Sequence, residues 1–291
     1  MWPFGPRAGS HTRLPTHVRR AGGPFSIGLF RLWHFRRVVG HLGWIFVVRK
    51  FRGMWLGLLW IPLRPAIDLL GRAFVFGGLL QVGSGDRPYL IFLTVGMATW
   101  ILFDRTAYFG YRGLGLHRRL LVRTQVPWLS TPVAATVPAA LDAALYAAFG
   151  IILGIYYKIE HGTSYFTLSW TTSSSILGVV LIALCGITLS LWTGPLVLKI
   201  PDLRFIIRYM LGFWFFLTPV LYAPQKLPDR YLVLFDLNPL TAPVELVKYG
   251  LIGTGAPTAR SLTVTFIALA VAFPLGLIYL RRTERAELAR G

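Results

Sequence analysis

Apolar runs close to the length that crosses a bilayer recur along this chain of 291 residues, and that repetition narrows its folds more than any other feature. A helix needs roughly 20 apolar residues to traverse about 30 Å of hydrocarbon. At that depth backbone N–H and C=O groups find no water, so only helices or closed barrels can span. Runs at about Leu56–Val82, Tyr89–Phe109, Pro132–Tyr157, Ser175–Leu198, Phe205–Tyr222 and Ser261–Leu280 read as six such helices. A mean hydropathy of +0.59 agrees, being high for a soluble domain. The expected fold class is therefore an all-α polytopic membrane protein with six transmembrane helices.

The formal net charge of +19 could point to nucleic acid, but its placement points elsewhere. Of the 30 Lys and Arg residues, 21 fall before the first span, in the segment Gly110–Thr131, around the Lys199 turn or at the C-terminus. Only six fall in the intervening segments, and Arg64, Arg72 and Arg105 lie within spans. This asymmetry is the positive-inside pattern, and it sets both termini in the cytoplasm. Residues 1–24 carry Arg7, Arg13, Arg19 and Arg20 without a continuous apolar core, so they read as a flexible basic tail rather than a signal peptide. Residues 25–55 read as an amphipathic interface helix. In it Arg31, His34, Arg37 and His41 share a face and Leu29, Trp33 and Trp44 lie largely off it. A plain juxtamembrane anchor drawn to anionic lipid is the alternative. The six-span domain occupies 56–280, and 281–291 forms a second basic cytoplasmic tail. A lone cysteine, Cys185, excludes a disulfide framework or a thiolate metal cluster.

Between the fifth and sixth spans the pattern changes. Pro224 and Pro228 break the chain. The stretch Tyr231–Gly250 is then apolar but interrupted by Asp236, Asn238, Pro239, Pro243, Glu245 and Lys248. A re-entrant helical hairpin over 229–250 fits it. Irregular backbone at membrane depth survives only under cover of protein or beside a wet path.

Catalytic chemistry is not legible. The chain has no G-x-x-x-x-G-K-[ST] phosphate loop, no H-E-x-x-H and no G-x-S-x-G, and its six histidines are scattered without a metal-ligand spacing. No catalytic residue, metal site or bound cofactor is expected. The charges inside spans are sharper signals, because each costs about 2.5–3.5 kcal/mol at the centre of a helix. Arg64, Asp68 and Arg72 stand at i, i+4 and i+8 on the first span. They form either a polar wall for a substrate path or an ion pair of Asp68 with one arginine. Asp142, in the third span, lacks an obvious local partner. On the fifth span Tyr209, Phe213 and Phe216 share a face, suited to stacking on sugars or to packing against lipid.

The order of short motifs resembles a known family. Phe51-Arg52-Gly53-Met54-Trp55-Leu56-Gly57-Leu58-Leu59-Trp60 leads into the first span, followed by Pro62 and Pro65. Pro88-Tyr89-Leu90-Ile91-Phe92 opens the second, with Gly96, Trp100 and Phe103 beyond. Then come Leu121-Val122-Arg123-Thr124-Gln125-Val126-Pro127 and Pro201-Asp202-Leu203-Arg204. Phe215-Phe216-Leu217-Thr218-Pro219-Val220-Leu221-Tyr222 and Asn238-Pro239-Leu240-Thr241 complete the series. Over roughly residues 25–280 the chain resembles the permease subunit of ABC transporters that export O-antigen, capsule or teichoic acid. It departs from them in having Ile200-Pro201-Asp202 where Tyr-Arg-Asp is frequent, and in the density of charge on its first span.

The resemblance implies a homodimer around a central path in the bacterial cytoplasmic (inner) membrane. Two separate nucleotide-binding subunits would consume ATP and Mg, and the cargo would be a lipid-linked glycan. It also implies coupling to those subunits through the interface helix and through Arg118, Arg119, Arg123, Asp202 and Arg204, with Asp236, Asn238 and Pro239 shaping the outer end of the path. Two other readings stand beside it. One is an ABC permease for a small amphiphile, drug or lipid; the other is a secondary transporter driven by an ion gradient through Asp68 or Asp142.

Overall fold

The computed structural model describes residues 35–51, 59–83, 87–124, 126–167, 169–224 and 228–289. The basic tail 1–24, the first third of the expected interface helix and the Arg52–Leu58 motif lie outside the described residues. Among the described residues every regular element is helical. In chain order they are α1 (Arg36–Phe51), α2 (Trp60–Arg72, continued as a π-helical run over Ala73–Leu79), α3 (Tyr89–Thr124), α4 (Ser130–Ala134) and α5 (Thr136–His161). Then follow α6 (Thr172–Lys199), α7 (Leu203–Phe216), α8 (Asp229–Asp236), α9 (Thr241–Ile252) and α10 (Ala259–Leu288).

Among the described residues four stretches are long and apolar enough to cross a membrane: Tyr89–Arg118, Ser130–His161, Thr172–Lys199 and Ala259–Leu288. They correspond to the expected second, third, fourth and sixth spans. The first expected span is shorter and more charged: a 13-residue α2 and its 7-residue π continuation. The fifth, α7, has 14 residues, so its rise is about 21 Å.

α3 is the axis of the molecule. It packs on both α5 and α6, and it carries the core residues Phe92, Leu93, Met97 and Phe103. At 36 residues it extends about 54 Å, well past the thickness of hydrocarbon. The segment Gly110–Thr131, expected as a basic loop, is therefore mostly a rigid extension of α3. Gly110 and Gly113 lie inside this helix. They serve close helix approach instead of a turn: a Cβ at Gly113 would lie 2.7 Å from Thr131 Cγ2, and one at Gly110 would meet the Ser190 side chain.

Two other boundaries differ from expectation. The helix α10 runs on through Arg281–Leu288, so most of the expected C-terminal tail is its last two turns. On α1 the buried side chains are Leu42, Phe46 and Val47, packed on α4 and α5. Trp44 is exposed, seven residues after Arg37 and on the same outward face as His41. Two full turns return a side chain to almost the same direction, which the expected separation of Trp44 from the basic face overlooked.

The segment expected as a re-entrant hairpin is two helices, α8 and α9, joined at Asn238-Pro239-Leu240. α9 is enclosed by α6, α3 and α10, with Glu245 and Lys248 both buried. α9 meets α6 at glycines: a Cβ on Gly178 would lie 2.7 Å from the Pro243 carbonyl oxygen, and one on Gly250 would lie 2.6 Å from that of Thr171.

Candidate functional site

A cavity of about 730 Å³ opens between α2, α3, α5 and α7. Its walls are charged. α2 contributes Arg64, Asp68 and Arg72, α3 contributes Asp104 and Arg105, and α5 contributes Asp142. Lys50 reaches it from the end of α1, and Arg208 from the second turn of α7.

The carboxylates are used in detail. On α2 the four-residue spacing lets Arg72 Nε donate to Asp68 Oδ1 at 2.9 Å. The Tyr146 hydroxyl, from α5, donates to Asp68 Oδ2 at 2.9 Å. Arg72 also lies over the Phe215 ring, 4.6 Å from its centroid. Asp142, which has no obvious local partner in the sequence, has two from distant sequence: Lys50 Nζ donates to its Oδ1, and Arg105 Nε stands 3.7 Å from its Oδ2. Arg105 Nε is also 3.8 Å from Asp104 Oδ2. Burial pulls the Lys50 ammonium below its ordinary pKa, and the Asp142 carboxylate pulls it back.

Of the aromatic residues expected on the path, Tyr209 and Phe216 line the cavity. Phe213 does not; its side chain points outward from α7 and is 60% exposed. The inward face of α7 is carried by Trp214 and Phe215, stacked edge-on against Phe103 and Trp100 at 5.8 and 5.2 Å between centroids.

Asn238, Asp236 and Pro239 lie away from this cavity and have defined bonds of their own. Asn238 uses its whole hydrogen-bonding capacity. Its Nδ2 donates to the Leu217 carbonyl at 2.9 Å and to Thr218 Oγ1 at 3.1 Å. Its Oδ1 accepts from Trp214 Nε1 and from the Leu240 N–H, each at 3.0 Å. Lys248 holds the same break from the other side, donating to the Pro219 carbonyl at 2.6 Å and the Val220 carbonyl at 3.1 Å. Its ammonium also sits 3.5 Å from the centroid of the Phe92 ring. The non-helical turn after α7 thus has its carbonyls met by protein, as a buried backbone requires. Asp236 accepts from the Thr258 hydroxyl at 2.6 Å, and the Pro239 carbonyl from the Thr265 hydroxyl at 2.9 Å.

The residues expected at an ATPase contact lie elsewhere again. Arg118, on the extension of α3, pairs with Glu287 at the end of α10. Glu284 accepts the Trp128 N–H at 3.3 Å, so the end of α10 braces the turn after α3. Arg119 and Arg123 belong to the same extension, and their side chains lie outside the described ones. Asp202 and Arg204 are exposed at the start of α7, with Arg204 over the Phe205 ring at 4.8 Å.

Three residues of these sites were not singled out by the sequence: Lys50, Tyr146 and Arg208. Arg208 carried a signal, standing one turn after Arg204 inside the expected fifth span. The pairing of Lys50 with Asp142, 92 residues apart, carried none.

No family model matches the chain. It is similar to an O-antigen export system permease protein of Myxococcus xanthus, 27% identical over 198 residues, which cover 66% of this chain and 72% of that protein. The O-antigen export system permease protein of Klebsiella pneumoniae is 21% identical over 197 residues, 66% of this chain and 71% of that one. The polysialic acid transport protein of Escherichia coli is 24% identical over 243 residues, 82% of this chain and 89% of that protein.

Proposed function

We infer that this chain is the permease subunit of an ABC-type exporter that carries a polysaccharide across a bacterial inner membrane. The observation that carries this reading is the similarity, over 66–82% of the chain, to permease and transport proteins named for O-antigen and polysialic acid. The fold agrees in kind: a helical protein with four stretches long and apolar enough to span a membrane among the described residues, and a polar cavity.

The finer reading is a six-span subunit with both termini in the cytoplasm. α2 with its π continuation serves as the first span, and α7 with the turn after it serves as the fifth. α1 lies in the inner headgroup layer with Arg37, His41 and Trp44 outward, and α8–α9 forms the re-entrant hairpin at the outer end. Two copies face one another across the cavity. Support for that pairing comes from exposed apolar side chains beside it, Ile67, Leu70 and Phe74 on the α2 side and Phe205, Met210 and Phe213 on α7. ATP and Mg belong to two partner ATPase subunits, docked on the α3 extension and on the turn at Asp202 and Arg204. The stiffness of a single helix from Tyr89 to Thr124 gives such a docking site a lever on the cavity wall at Asp104 and Arg105. The cargo is a lipid-linked glycan, with membrane lipid around it.

Co-expression tests the reading. A nucleotide-binding subunit should co-purify with this chain, and a lipid-linked glycan should raise ATP turnover of the complex. Transport by the chain alone on a proton or sodium gradient would contradict it.

A further inference from the structure

The helices α6 and α10 run side by side in the same direction and in step. Trp192 Nε1 donates to the carbonyl of Ala272, 80 residues further on, at 2.9 Å. The same offset brings Lys199 against Tyr279, its ammonium 5.3 Å from the ring centroid. Trp192 and Tyr279 stack on one another, their centroids 5.8 Å apart and their planes 26° from parallel. Tryptophan, tyrosine and lysine thus stand in a column near one end of two membrane-length helices. Beside it Leu196 of α6 and Leu275 of α10 are exposed. Arg282 follows Tyr279 by three residues, on the same face of α10, and is exposed as well. None of these residues lines the charged cavity.

The carboxylates of this end face elsewhere. Glu287 pairs with Arg118, and Glu284 accepts the Trp128 N–H, so both turn toward the α3 extension. Lys199 and Arg282 are within ion-pair distance of no carboxylate among the described residues. Asp202 is exposed on the following turn, but with Arg204 and Arg281 beside it the surplus stays positive. Resting on Tyr279, the Lys199 ammonium is held in place while its charge remains open to an anion. Tryptophan and tyrosine at the end of a span mark the level of the headgroups. Basic pockets between spans at a cytoplasmic face take anionic headgroups.

We propose that this end of the α6–α10 groove binds an anionic phospholipid of the bilayer. Lys199 and Arg282 receive the headgroup phosphate, Trp192 and Tyr279 flank the glycerol, and Leu196 and Leu275 carry an acyl chain. The assignment rests on α6 and α10 being spans with this end in the cytoplasm. It does not depend on what the protein exports.

The test is native mass spectrometry of the full chain, purified with its ATPase partner and offered equimolar phosphatidylglycerol and phosphatidylcholine in mixed micelles. Phosphatidylglycerol should be retained at least tenfold over phosphatidylcholine. Lys199→Gln and Arg282→Gln should each cut that preference about fivefold, the share of one cation near anionic lipid. Lys199→Arg and Tyr279→Phe should keep it, since charge and ring remain. Lys158→Gln, at the far end of α5, should leave it unchanged. A second measurement needs no variant. Phosphatidylglycerol with a diazirine on its acyl chain should label the surface at Leu196 and Leu275, and unlabelled phosphatidylglycerol should compete better than phosphatidylcholine. Equal competition by the two lipids, or a preference that survives in the folded Lys199→Gln, Arg282→Gln double variant, would overturn the site. Loss of the ATPase subunit from that variant with lipid preference intact would assign the two cations to the subunit contact instead. These results leave glycan-stimulated ATP turnover of the native complex untouched, so this inference and the export reading fail separately.

Discussion

Asn238 accepts a hydrogen bond from Trp214 Nε1 at 3.0 Å and donates to the Leu217 carbonyl at 2.9 Å, which ties the α8–α9 corner to the end of α7. α7 also forms one wall of the charged cavity, so the corner and the cavity share a helix.

Removing that tie should lower stability. In Asn238→Ala the Trp214 Nε1 and the Leu217 carbonyl lose their partner in a partly buried place, at no more than about 1–3 kcal/mol for each orphaned group. The thermal midpoint in detergent should fall by several degrees. Asn238→Asp should fall further, since it keeps the acceptors, loses both donors and buries a charge. An unchanged midpoint in both would show that α7 is held by other means.

The pair formed by Lys50 and Asp142 predicts a non-additive cycle. Lys50→Met leaves the Asp142 carboxylate with Arg105 alone, and breaking a buried pair costs about 3–5 kcal/mol. Lys50→Met with Asp142→Leu should recover much of that loss. Thermal unfolding of the four proteins measures the coupling; additive losses would mean that the two charges do not interact.

Tyr209, Phe213 and Phe216 can now be separated. Phe216→Ala and Tyr209→Ala should reduce export several-fold, as losing one ring contact of about 0.5–1.5 kcal/mol would. Phe213→Ala should affect export less, because its ring is outside the cavity. Export assays normalised to the amount of protein in the membrane check the ranking. A defect confined to Phe213→Ala would reverse it and place the path on the outer face of α7.

Much of this was open to a reader of the sequence, and the failures have physical causes. The spans at α5, α6 and α10 show as apolar length alone. The stripe Arg64, Asp68, Arg72 shows as helical spacing, and its internal pair follows from i, i+4 geometry. What pairs across the fold does not show. Lys50 meets Asp142 at a separation of 92 residues, and Asn238 meets Trp214 at 24. Glycine has two uses, and sequence does not tell them apart. Gly110 and Gly113 fall in the segment expected as a basic loop, yet they let neighbouring helices approach α3.

Arg118 tests the proposed docking surface. Its side chain is 54% exposed, so the ion pair with Glu287 should be worth no more than about 1 kcal/mol. Glu287→Gln should therefore leave the thermal midpoint nearly unchanged. Arg118→Glu should depress glycan-stimulated ATP turnover while the complex still assembles, and adding Glu287→Arg should not restore it. Restoration would mean that the pair itself, rather than a contact from Arg118 to an ATPase subunit, carries the effect.

The most direct test of the export reading is ATP turnover and glycan movement measured together, in proteoliposomes holding this chain with a co-purified nucleotide-binding subunit. Lipid-linked glycan should accelerate ATP hydrolysis and cross the membrane only when both subunits and MgATP are present. Glycan crossing with this chain alone on an imposed ion gradient, or ATP turnover indifferent to any lipid-linked glycan, would contradict the account.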